Sequence, residues 1–93
     1  MYNNAMPYIK QKYRSELDDL IAPLQQQLKE LPLEKQDGAV NYVVTKILKA
    51  VYDSGNCFTY NRSLGVLAAL QQEWYRREVI PYEDGKIKEN GDV

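Results

Sequence analysis

Hydrophobic positions along this chain recur at steps of three and four, which is the period of a helix with one buried face. Leu17, Leu20, Ile21, Leu24, Leu28 and Leu31 form a first stripe, and Val40, Val43, Val44, Ile47, Leu48 and Val51 a second. A third runs through Tyr60, Leu64, Leu67, Leu70 and Trp74, within the longest stretch that reads as one helix, 57–80. The β-branched run VNYVVT is a strand signal by propensity, but alternation fails at Val43-Val44 and the spacing decides for helix.

Punctuation divides these stripes. Ser15 opens the first helix, 15–31, with a pattern close to a capping box, Asp18 standing where Glu or Gln is usual. Pro23 lies two turns in and should kink it. Leu31-Pro32 ends it, LPLEKQDG reads as a linker, and the second helix is expected over 38–52. Gly55 suits a left-handed position and Asn56 the next N-cap. Gly65, Ala68 and Ala69 are small enough to let another helix approach, and Pro81 is expected to stop the third helix at Ile80. Residues 1–14 read as an arm whose aromatics, Tyr8 and Tyr13, pack on the domain, and 81–93 as an irregular, polar tail. The expected fold is therefore a single all-α domain of three helices, the third long and projecting.

A third helix of roughly 24 residues reaches about 36 Å, against about 23 Å for helices of roughly 15. Its overhang holds Trp74, Tyr75, Val79 and Ile80, which the N-terminal arm, a second copy of the chain or another protein must cover. Symmetric self-association is the commonest solution, so a homodimer is the leading expectation, the arm folded back on a monomer the next, and a heterologous protein partner follows.

Composition narrows the function classes. At 93 residues the core is thin, and 44% hydrophobic with 27% charged residues is ordinary for a globular domain. A net charge of -1 gives no bias toward nucleic acid or anionic membrane. The lone Cys57 and a polar N-terminus favour a cytoplasmic protein, and no apolar run is long enough to span a membrane.

The chain has no His, so the commonest general base and transition-metal ligand are missing. Cys57 has no base to activate it and reads as a small, half-buried residue at a helix start. The acids Glu83, Asp84, Glu89 and Asp92 do not follow a calcium-loop spacing. No enzyme, metal or cofactor is expected. The polar candidates are Arg62, Arg76 and Arg77, with Lys46 and Lys49 on the second helix. They read either as ion pairs, Glu73 with Arg77 first among them, or as contacts to nucleic acid.

The stretches VNYVVTKIL, YNRSLGVLAALQQEWYRR and PYEDGKIKENGDV resemble a family of short uncharacterised proteins from prokaryotes and their phages. The resemblance is close over about the last 55 residues and only outlined before them. Ser63 and Ala68 depart from a pattern that has Ala and Glu there. The family implies no activity. It implies that Asn41, Tyr42, Thr45, Asn61, Arg62, Tyr75, Arg76, Arg77 and the Tyr82-Glu83-Asp84 segment belong to a shared pattern suited to docking. The chain thus reads as a non-enzymatic interaction or assembly module. Its expected binding residues are Trp74, Tyr75, Arg76, Arg77, Tyr82, Asn61 and Arg62, and a small nucleic-acid-binding protein is the alternative.

Overall fold

The computed structural model describes residues 9–93. Helix α1 spans Arg14–Lys29, α2 Leu33–Val51 and α3 Cys57–Trp74. A π-helical segment, Tyr75–Val79, joins α3 without a break to α4, Ile80–Asn90. From Cys57 to Asn90 the chain is one long helix of 34 residues. At 1.5 Å per residue this helix is about 51 Å long, which matches the 49 Å longest dimension of the molecule. The fold is all-α with a long third helix, as the periodicity predicts, and the irregular C-terminal part shrinks to Gly91–Val93.

Several boundaries differ from expectation for local reasons. Ser15 is not a cap, because a 3-10 turn over Gln11–Tyr13 leads straight into α1. In that turn the Tyr13 N–H donates to the Lys10 carbonyl at 2.9 Å, and the Arg14 guanidinium donates twice to the Ile9 carbonyl at 3.1 and 3.0 Å. The N-terminal arm is therefore turned rather than extended from Gln11, and Tyr13 is exposed rather than packed. Tyr8 and the rest of 1–8 lie outside the described residues. α1 runs unbroken through Pro23, whose lost donor falls on the exposed side of the helix.

α2 begins five residues earlier than the linker reading implies. Pro32, with φ -55 and ψ 145, is an extended entry residue, and Leu33 to Gln36 contain no helix breaker. The turn is locked by Gln36, whose side-chain amide donates to the Lys29 and Leu31 carbonyls at 3.2 and 3.1 Å. The Lys29 carbonyl is one that the end of α1 leaves without a helical partner, and the Leu31 carbonyl belongs to the turn that follows.

Pro81 does not end the third helix. The proline ring excludes the Arg77 carbonyl from its usual position, and the π segment absorbs the conflict. The Ile80 N–H reaches back five residues to the Tyr75 carbonyl, and the helix then resumes for Ile80–Asn90 with proline in its first turn, where a missing donor costs least. Gly91, at φ +88, terminates it.

The stripes meet only in part. Leu24 and Leu28 of α1 and Leu31 just after it are half-buried near Val43 of α2, whereas Leu17, Leu20 and Ile21 of the same stripe are exposed. On the long helix Thr59, Ser63, Val66 and Leu67 are covered, whereas Leu70 and Trp74, farther along the same face, are not. The expected inner set Tyr60, Leu64, Leu67, Leu70 and Trp74 therefore holds only at Leu67. No helix closes on Gly65, where an added Cβ would meet nothing within 4 Å. Among the described residues no apolar side chain is fully buried.

Candidate interaction surface

The turn between α2 and the long helix is the best-tied part of the structure. Gly55 takes φ +72, a value that L side chains resist. This lets Asn56 cap the long helix, its side-chain oxygen accepting from the Thr59 N–H at 2.9 Å. Thr59, 7% exposed, is the only buried residue among those described, and its hydroxyl is hydrogen-bonded to Ser54. Arg62 lies over the Tyr52 ring at 5.2 Å and the Phe58 ring at 5.9 Å, joining the end of α2 to the start of α3. Cys57, expected to be half-buried, is exposed beside this turn.

About 18 Å farther along the helix, Trp74, Tyr75, Arg76 and Ile80 line a shallow concave patch with Gln71 and Gln72. Trp74 is 63% exposed. The patch sits where the π segment widens the helix, which sets Tyr75 and Ile80 around the same hollow. Arg76 and Arg77 both pair with Glu73, Arg76 through two contacts, one at 2.9 Å, and Arg77 at 3.4 Å. The expected Glu73–Arg77 pair is therefore present. Glu73 holds both guanidinium groups beside the aromatic patch as orienting charges rather than as a cationic face. The Tyr75 hydroxyl donates to Glu83 at 3.1 Å, bridging the π segment and α4. That hydrogen bond, and then the negative charge of Glu83, raise the Tyr75 pKa above its ordinary value.

Of the expected binding residues, the structure gathers Trp74, Tyr75, Arg76 and Arg77 within one stretch and places exposed Tyr82 two turns beyond. It does not bring Asn61 and Arg62 to them, since Arg62 belongs to the turn at the other end of α3. Asn41 and Thr45 bond to each other along α2 at 3.2 Å, and exposed Tyr42 lies under Lys46. Among the described residues no three potential ligands converge on a metal position. Among them, too, no helix is long and apolar enough to cross a membrane.

Sequence reasoning misses two parts of the surface. It places Ile80 at a helix end, though Glu83 and Asp84 after Pro81 are the acidic residues that favour a helix start. It also assigns the exposed halves of the α1 and α2 stripes to a core. Their spacing carries no mark of whether the covering group belongs to the same chain.

A family-level comparison settles the relationship of the chain. Residues 6–93 match a domain of unknown function, DUF6899. The chain belongs to that family. No curated protein and no solved structure matches the DUF6899 chain.

Proposed function

We propose that this DUF6899 protein is a non-enzymatic assembly module whose partner is a second copy of itself. The observation that carries this reading is its surface. The chain exposes 8435 Å², against about 5,500 Å² for a compact folded chain of its mass. Its radius of gyration is 16.7 Å, where about 12 Å is usual for this length.

Leu20, at 73% exposed, and Trp74 are side chains whose burial is worth about 2–3 kcal/mol each. A helical domain that leaves both in water forgoes about 4–6 kcal/mol, comparable with the whole net stability of a small domain. The resemblance to short prokaryotic and phage proteins, with an NYVxT, NRxxGVL and PYED pattern, fits a role in which a docking surface is what the residues maintain. Exposed Cys57 fits a reducing, cytoplasmic setting.

Nucleic-acid binding is the weaker reading, because Arg76 and Arg77 are matched to Glu73 and Arg62 to aromatic rings. Light scattering on a sizing column tests the proposal: a mass twice 10.8 kDa supports it. A mass of one chain at all concentrations sinks it, and retention by nucleic acid that collapses with salt would install the alternative.

A further inference from the structure

Around α2, with successive residues about 100° apart, Val40, Ile47 and Val51 lie within about 40° of one another and mark the middle of the apolar stripe. All three are exposed. The residues to one side, Gln36, Ala39 and Val43, are half-buried and face α1, to which Gln36 is hydrogen-bonded. Those to the other side, Val44, Leu48 and Tyr52, are half-buried and face the long helix through Leu67 and Arg62. The two neighbouring helices thus flank α2 and leave its most apolar line uncovered between them. The three helices form a layer with one apolar side.

From this we infer that two copies pack these layers face to face across α2, with Val40, Ile47 and Val51 of each at the two-fold axis, so that the chain folds as it dimerises. The inference rests on self-association and adds both its location and its coupling to folding. Area decides between this arrangement and a contact through a small patch. The excess over a compact chain is roughly 2,900 Å², whereas a standard interface covers about 800 Å² per partner. Only the large interfaces of permanent dimers remove so much surface.

A second copy also reaches what α2 cannot. The exposed parts of the α1 and long-helix stripes, Leu17, Leu20 and Ile21 on one and Leu70 and Trp74 on the other, are likewise left for the second copy to cover.

The test is unfolding of the intact chain, followed by circular dichroism and by mass, at concentrations a hundredfold apart. Helix loss and dissociation should coincide in one transition whose midpoint rises with concentration. Ile47→Asp, a harmless surface change on an isolated chain, should weaken association at least a hundredfold and lower helicity at low concentration. Lys49→Ala, on the opposite side of α2, should change neither. A dimer that first separates into helical monomers, or one that Ile47→Asp leaves intact, overturns this inference and leaves self-association standing. A chain that is monomeric throughout overturns both.

Discussion

The two ends of α3 are built from similar residues and are held in different ways. At the N-terminal end, Gly55, Asn56, Thr59 and Arg62 draw on residues before the helix, so that Ser54, Tyr52 and the helix start close on one another. At the C-terminal end the polar contacts among the described residues run along the same helix: Glu73 to Arg76 and Arg77, Tyr75 to Glu83, Lys86 to Glu89 at 3.6 Å. Such exposed pairs are worth only a few tenths of a kcal/mol each. They support a helix already formed but do not give its apolar side a destination. One end is finished by its own chain; the other leaves Trp74 in water, and it is that end that the proposed partner would cover.

The largest expected effect removes that partner's anchor. Trp74→Ala should weaken association by about 2–4 kcal/mol, as for a central aromatic at an interface, while leaving the Asn56–Thr59 turn as it is. Sedimentation against concentration measures the first, and amide exchange at Thr59 the second. If the association constant moves less than threefold, the C-terminal half of α3 is not part of the contact.

A change at Pro81 sharpens the comparison from inside the arm. Pro81→Ala restores a donor and removes the clash with the Arg77 carbonyl, so α-helical register should return through 75–79. Helix stability in the arm should rise by about 1–3 kcal/mol, read as slower amide exchange over 82–90. The hollow between Tyr75 and Ile80 should close as the π segment is lost. Exchange rates that stay the same would mean that the π segment has a cause other than Pro81.

Smaller still is the cost of unfinishing the other end. Asn56→Ala removes the acceptor for the Thr59 N–H and should destabilise the protein by about 1 kcal/mol, seen as a lower urea midpoint at fixed chain concentration. Asn56→Asp should restore it. A destabilisation that Asp does not rescue would show that Asn56 acts through something other than its side-chain oxygen.

This difference between the ends also explains what the sequence discloses. The stripes at three- and four-residue steps, the Gly55-Asn56 punctuation and the Glu73–Arg77 pair are local, and local spacing reports them directly. Pro81 misleads because a proline either stops a helix or passes through a π segment according to the residues C-terminal to it, and here Glu83 and Asp84 favour continuing. Ser15 misleads because the turn over Gln11–Tyr13 supplies by backbone what a cap supplies by side chain. The uncovered middle of α2 is illegible for a deeper reason. Val40, Ile47 and Val51 obey the same period as Val43 and Leu48, and only the positions of α1 and the long helix distinguish them.

The finest test of the arm is a titration. In the fold Tyr75 donates to Glu83, whose charge also opposes a second negative charge beside it, so the folded pKa lies above the unfolded one. The sign follows from linkage. A raised pKa contributes stability that is fully present below the unfolded value and is lost as pH rises through the folded value. The effect is therefore confined to alkaline pH, with none near neutrality. Nuclear magnetic resonance should show Tyr75 ionising later than an ordinary tyrosine, and Glu83→Gln should bring it back by removing the charge. Because Tyr75 is solvent-exposed, the shift should also shrink in high salt. If Tyr75 ionises at the ordinary value in the native protein, the Tyr75–Glu83 bond is not held in solution. The π register that sets the two residues eight apart on one side of the helix then loses its support.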